Sequence, residues 1–247
     1  MKSRNNTLKR LAHSGKRPRV GKNTIKLLGR DICRGYYPEG VHMPSENDLC
    51  DKYNVSRTVI REALNVVESK SLVSRRSRSG TMVNPHTKWS ILDENVIEWL
   101  ENTEHAKKII PSILEARRVV EPAAARMAAE RASIKDLSFL EESWDLMSNS
   151  AHDLNLFNEA DLKFHYYLIS SSNNRVFQQL ASSFKAAIKY TIEETSKISE
   201  NLEGAIYLHG ELLNALRIKN PDLSENVMLK ILDMVEQDIE TASKGWT

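Results

Sequence analysis

Met43-Pro44-Ser45-Glu46-Asn47-Asp48-Leu49, then Val55-Ser56-Arg57-Thr58-Val59-Ile60-Arg61-Glu62-Ala63-Leu64, is the stretch that decides the fold of the first third of this chain. Ser45 can cap a helix, and Asp48, three residues on, can reach back to it in a capping box. After a short turn through Tyr53-Asn54-Val55 a second helix begins near Ser56. It sets Ile60, Ala63, Leu64 and Val67 on one side and Arg57, Thr58 and Arg61 on the other. Working outward, the pattern is already helical from Thr24, with Ile25, Leu28 and Ile32 at i, i+3 and i+7 and a stop at Gly35. Downstream, Leu72-Val73-Ser74-Arg75-Arg76 and Thr81-Met82-Val83 flank the polar turn Ser77-Arg78-Ser79-Gly80 and predict a small β-hairpin. Three helices followed by a basic hairpin make a winged helix-turn-helix, whose second motif helix presents polar side chains to base edges in the major groove.

Charge supports a division of labour. The net charge of the 247 residues is only +2, yet Met1 to Pro85 carry 18 basic and 7 acidic residues while His86 to Thr247 carry 17 and 26. A basic third suits a polyanionic partner, double-stranded DNA. Residues 1–22 hold eight Lys or Arg and no acid, with Gly15, Pro18 and Gly21 interrupting any helix, so a basic flexible arm is expected there. Cys33 and Cys50 are too few for a disulfide framework and lack paired zinc-ligand spacing. No continuous apolar segment follows the basic N-terminus, so neither a secretory signal nor a membrane span is expected, and the cytoplasm is the default location.

Arg57 and Arg61 can donate to guanine O6 and N7 or to phosphates, while Ser56, Thr58 and the helix-start N–H groups suit phosphate oxygens. In the hairpin, Gly80 lets the backbone come close to DNA, and Arg75, Arg76 and Arg78 add charge. A charged helix face alone is usually just solvated; the ordered set of parts in a basic setting gives this one its meaning.

Beyond Pro85 the chain holds almost no strand signal. Helices are expected near 93–101, 107–131, 134–150, 154–172, 175–198, 203–218 and 222–243, and an all-α bundle is their natural architecture. The domains expected are thus 23–85 for DNA, a linker at 86–105 anchored by Trp89 and Trp99, and a helical domain at 106–247. Three helices of that domain carry polar groups on apolar faces. Asp161 and His165 lie at i and i+4 among Phe157, Ala160, Phe164 and Leu168; His209 lies among Ile206, Leu213 and Leu216; Arg117 lies with Ile110, Ile113, Leu114 and Ala124. An Asp and two His converging from different helices could hold a divalent metal, and an Arg nearby could grip the carboxylate of a ligand. A lone Asp-x-x-x-His on a helix is more often a surface hydrogen-bonded pair.

The DNA-binding stretch resembles the GntR superfamily of regulators. The residues that carry the likeness are Met43-Pro44-Ser45-Glu46, Leu49, Val55-Ser56-Arg57-Thr58, Ile60-Arg61-Glu62-Ala63-Leu64, Ser71-Leu72 and Gly80-Thr81-Met82-Val83. The resemblance implies that Asn47, Ser56, Arg57, Thr58, Arg61, Ser79 and Gly80 line the DNA contact. Ser71 stands where the family usually has glycine. The helical domain is similar to the FCD effector domain of the FadR-like subgroup, which implies metal ligation by Asp161, His165 and His209. The family's fourth ligand would fall 22 positions after His209, and that residue is Ile231. Arg117, in Glu115-Ala116-Arg117-Arg118-Val119-Val120-Glu121, matches the family arginine that faces the pocket. Trp89-Ser90-Ile91-Leu92-Asp93, Val96, Trp99-Leu100, Asn158-Glu159-Ala160-Asp161 and Gln178-Gln179-Leu180 are similar to members that govern galactonate use.

The resemblance therefore implies a homodimeric repressor on a palindromic operator, released by a small carboxylic or sugar acid bound at Arg117, Asp161, His165 and His209, with a divalent ion such as zinc as cofactor. Two alternatives stay open: a metal-dependent enzyme acting on a small acid, and a DNA-binding protein without effector. No Gly-x-Ser-x-Gly, His-Glu-x-x-His, Walker loop or dinucleotide fingerprint occurs.

Overall fold

The computed structural model describes residues 17–76, 80–101, 103–199 and 201–244. The basic stretch up to residue 16, Arg78 and the candidate contact Ser79 lie outside the described residues. Internal contacts divide the chain into two compact units, Met1–Lys107 and Lys108–Thr247.

In the first unit, α1 (Arg17–Cys33), α2 (Glu46–Tyr53) and α3 (Arg57–Ser69) precede a hairpin of β1 (Val73–Arg76) and β2 (Gly80–Val83), and α4 (Glu94–Leu100) follows. The strands are antiparallel, pairing Val73 with Val83 and Arg76 with Gly80. Leu28, Ile32, Leu49, Ile60, Leu64, Val67, Leu72 and Val83 form the buried core, as the periodicity predicts. The helix before the motif starts earlier than Thr24, and it runs through Pro18 and Gly21. Pro18 is tolerated because the N–H it lacks has no intrahelical acceptor in a first turn. Gly21 costs about 1 kcal/mol relative to alanine, a price outweighed by the packing of α1 on α3 and α4. Residues 17–22 therefore belong to a helix and not to a flexible arm.

Ser45 and Asp48 form the capping box in full: the Asp48 N–H donates to Ser45 Oγ at 3.3 Å and the Ser45 N–H to Asp48 Oδ2 at 3.0 Å. Asn54 then closes α2 in the left-handed region, φ 50°. The segment after the wing is knit to this unit. Trp89 and Trp99 are buried, the Trp89 indole N–H donates to Asn84 O at 3.0 Å, and Lys70 pairs with Asp93 at 2.7 Å. Gly29 on α1 lies against the Trp99 ring, where even a methyl group would fall well inside van der Waals contact.

The second unit contains α5 (Glu104–Arg131, shared at its start with the first), α6 (Ile134–Asn149), α7 (Leu154–Ser170), α8 (Arg175–Ser196), α9 (Leu202–Arg217) and α10 (Pro221–Lys244). These match the expected helices to within three residues at each end. No strand occurs there among the described residues. Helix α6 packs on α7, α7 on α8, and α9 on both α6 and α10. Leu140, Met147, Phe157, Phe164, Leu168, Leu213, Leu216 and Met228 fill one core, and Ala124, Ile169, Ile188 and Ile192 a second. Overall the chain is mainly α, with a two-stranded wing.

The turn after α3 explains the family glycine. Ser71 adopts φ 61°, the Leu72 N–H donates to Val67 O at 3.0 Å and the Ser71 N–H to Glu68 O at 2.9 Å, a Schellman closure with its left-handed residue at Ser71. A side chain in that region costs roughly 1–2 kcal/mol, and glycine's greater freedom when unfolded takes back about 0.5–1 kcal/mol. Ser71→Gly is therefore expected to stabilise the first unit by roughly 0.5–1 kcal/mol. Urea unfolding followed by near-UV signals of Trp89 and Trp99 measures it, and a lowered midpoint would refute the account.

Candidate functional site

The first candidate surface is built on α3. Ser56 precedes it in extended conformation, and its side chain makes no capping bond, so the hydroxyl is not spent on the helix. Arg57, Thr58 and Arg61 are exposed, as is Asn47 on α2. Arg61 Nε donates to Glu46 Oε2 at 2.8 Å, with Arg61 62% and Glu46 36% exposed. An exposed pair of this kind is worth at most about 1 kcal/mol, so it aims the guanidinium without locking it. Gly80 is exposed at the start of β2 with φ 79°, a conformation that a side chain would strain. Arg75 differs from the expectation of a charge offered to DNA. Its Nε donates to Glu68 Oε2 at 2.8 Å and a second nitrogen meets Asn65 Oδ1, so it braces the wing against α3; Arg76 is exposed.

The second candidate lies inside the helical unit, where α5, α7, α8 and α9 bring Arg117, Asp161, His165, Thr191 and His209 together. Arg117, 1% exposed, donates from Nε to Glu121 Oε1 at 2.6 Å and from Nη1 to Thr191 Oγ1 at 2.8 Å. Glu121 Oε2 meets His165 Nδ1 at 2.5 Å, and His209 Nδ1 lies 2.7 Å from Ala205 O. A carboxylate and a carbonyl oxygen can only accept, so both Nδ1 atoms carry protons and both Nε2 atoms point into the site. There they meet Asp161 Oδ1, at 3.2 Å from His165 Nε2 and 3.1 Å from His209 Nε2, with the two Nε2 atoms 3.5 Å apart. Asp161 Oδ1 is buried, yet neither imidazole approaches it at a hydrogen-bonding angle.

Three basic atoms therefore converge on a common point. Ligands at 2.0–2.1 Å from one zinc-sized ion in tetrahedral array stand roughly 3.4 Å apart, and the observed edges of 3.1–3.5 Å fit. The Glu121–His165 contact is the outer-shell carboxylate that commonly orients a metal-bound imidazole. Asp161, His165 and His209 are suited to hold such an ion. Ile231 is buried in the apolar core and lines the same cavity, so the fourth family position is hydrocarbon.

The charges are mutually dependent. Burial works against the Glu121 carboxylate, but Arg117 and His165 outweigh it and hold its carboxyl down at about 2. Burial likewise disfavours charge on His165, and the carboxylates of Glu121 and Asp161 push its imidazole up to about 9. Burial opposes the Asp161 charge too, and His165 and His209 hold the carboxyl far below its usual range. Without a metal ion, a proton on His165 supplies the positive charge that this site demands.

A cavity with about 440 Å³ of empty space, part of it open to solvent, is lined by Arg117, Asp161, His165 and His209, and by Thr195 and Ser196. The structure brings Arg117, Asp161, His165 and His209, which the sequence offered as one candidate site, to the lining of a single cavity. Sequence reasoning assigned no role to Glu121, although that residue stands at i+4 from Arg117 on the same helix face. Thr191 and Thr195 carry no signal of their own, since threonine is common on helices. Removing Glu121 strands a buried cation: Glu121→Ala should destabilise the helical unit by roughly 3–5 kcal/mol, whereas a change under 1 kcal/mol in denaturant titration would show that Arg117 finds other compensation.

Comparison with known proteins agrees with both halves. Residues 21–83 match the pattern of bacterial regulatory proteins of the gntR family, and residues 112–234 match the FCD domain. The galactonate operon transcriptional repressor of Escherichia coli (strain K12) is 32% identical over 209 residues, covering 84% of this chain and 91% of that protein. The HTH-type transcriptional regulator LutR of Bacillus subtilis (strain 168) is 27% identical, covering 83% and 94%. Among solved structures, that of Lar, which controls the agr system of Listeria monocytogenes, aligns with TM-score 0.67 at 19% identity over 90% of this chain and 96% of that one, a likeness of fold. No described helix is long and apolar enough to cross a membrane. These relatives are transcription regulators rather than enzymes, and the chain belongs to the GntR family of DNA-binding bacterial regulators, in the arrangement that pairs the winged helix-turn-helix with an FCD domain.

Proposed function

We propose that this chain is a cytoplasmic repressor that binds a palindromic operator as a homodimer and releases it when a small carboxylic acid, of the sugar-acid class, enters the helical unit. The observation that carries the effector half is the convergence of Asp161 Oδ1 and two imidazole Nε2 atoms beside buried Arg117 on one cavity wall. A divalent ion such as zinc, when bound by Asp161, His165 and His209, supplies positive charge and open coordination positions for a carboxylate. Arg117 adds a guanidinium already oriented by Glu121 and Thr191. Thr195 and Ser196 offer hydroxyl groups for the alcohols of a sugar acid. The likeness to the galactonate operon repressor supports a hexonate-like ligand.

On the DNA side, two copies of α3 would read half-sites about one helical turn apart or less, with Arg57 and Arg61 on bases and phosphates and Asn47, Ser56, Thr58, Ser79 and Gly80 along the backbone. The effector releases DNA only if it binds the released state more tightly than the gripping one. The segment from His86 to Glu104, within the linker at 86–105, is the proposed transmitter between the binding domain at 23–85 and the ligand and dimerisation domain at 106–247.

Operator release from a fluorescent duplex, screened against sugar acids and small carboxylates with and without a chelator, tests the proposal. A sugar acid should release DNA, and chelation should weaken its effect; no response to any acid would refute it. Arg61→Ala should abolish specific operator binding with effector binding intact, and Arg117→Ala should do the reverse. Loss of Arg61's base contact would cost about 1–3 kcal/mol of discrimination, so a footprint of unchanged strength would contradict its role.

A further inference from the structure

A second set of ligand atoms converges well away in sequence from the effector pocket. Glu39 lies between α1 and α2, His86 in the 3-10 turn that follows the wing, and His105 in the first turn of α5, all within the Met1–Lys107 unit. One ligand atom from each lies within 4.8 Å of the others. Glu39 Oε1 stands 2.9 Å from His86 Nδ1 and 3.9 Å from His105 Nε2, and the imidazole rings are 4.8 Å apart. Trp89, buried and held by its hydrogen bond to Asn84 O, faces both rings edge-on at 6.5 and 5.7 Å. It is a rigid wall behind the cluster.

His105 supplies the third donor. Its Nδ1 is buried without a hydrogen-bond partner, while its Nε2 faces the Glu39 carboxylate from beyond hydrogen-bonding distance. A neutral imidazole carries one N–H and one lone pair. A proton on Nε2 answers the carboxylate directly; with the proton on Nδ1 instead, the Nε2 lone pair and the Glu39 oxygen are two donors facing one gap that a divalent cation can fill. Two imidazoles and one carboxylate are the donor set of zinc, nickel and related divalent ions rather than of calcium or magnesium. The side chains are 30–48% exposed, so water can complete the shell.

We propose that Glu39, His86 and His105 form a second divalent transition-metal site, separate from the Asp161 tripod. An ion there ties the first turn of α5 to the end of the wing and to the turn after α1, closing a clip around residues 86–105. Because it binds only the folded arrangement, it stabilises the first unit by mass action.

Calorimetric zinc titration of the full chain tests this in a background carrying Asp161→Asn and His209→Gln, which removes two donors of the other site. One equivalent of zinc should still bind, and adding His86→Gln with His105→Gln should abolish it. Zinc binding absent from that background, or retained after all four substitutions, overturns the proposal. Should the background variant fail to fold, His86→Gln with His105→Gln in the otherwise native chain should lower the zinc stoichiometry by one, and unchanged stoichiometry is the refuting result. Effector release of DNA is read separately, so failure here leaves the repressor assignment untouched.

Discussion

Arg117 and Glu121 sit one helical turn apart on α5, both sealed from solvent, and the helical unit is organised around the consequence. A guanidinium taken out of water costs several kcal/mol unless matched, and Glu121 matches it with one carboxylate oxygen. The other oxygen accepts a hydrogen bond from His165 Nδ1–H, which turns that ring's Nε2 toward Asp161. The backbone of α9 does the same for His209 through Ala205 O. One local i,i+4 pair thus sets the tautomer of a histidine two helices away in the chain and the charge balance of the whole cavity. Asp161, with one oxygen buried between the two imidazoles and without a hydrogen bond, is where that chain of obligations ends.

Elements with a local cause were legible in the sequence. The Ser45–Asp48 box, the apolar stripes of α3 and α7 and the punctuation at Gly35 and Gly80 act over one or two turns, so their spacing suffices. Arg117, Asp161, His165 and His209 were legible as polar residues on apolar faces, and their convergence followed from the family likeness. What the sequence concealed depends on partners distant in the chain or on packing strong enough to override propensity. Helix α1 runs through Pro18 and Gly21 because it has α3 and α4 to lie on. Arg75 reads as one more cation until Glu68 and Asn65 are seen beside it. Glu121 sat in plain view, but only the closing of α7 against α5 gives its second oxygen a purpose.

Ser71 and Ile231 illustrate departures of opposite kind. At Ser71 the chain keeps the backbone geometry for which glycine is suited and tolerates the strain, so the turn survives the substitution. At Ile231 the family's donor position is hydrocarbon that belongs to the core and also lines the cavity. The first touches the backbone of a turn; the second leaves three basic atoms converging where the family resemblance implies four.

The Glu46–Arg61 pair carries a consequence for how this protein searches a genome. Non-specific affinity for DNA scales with the number of cations that displace counterions, and a guanidinium that first leaves a neighbouring carboxylate adds less to it than a free one. If Arg61 meets DNA as proposed, its pairing with Glu46, worth at most about 1 kcal/mol, has to be given up on every sequence alike. On that reading the carboxylate would act as a small threshold, repaid in full only where a guanine presents O6 and N7 together.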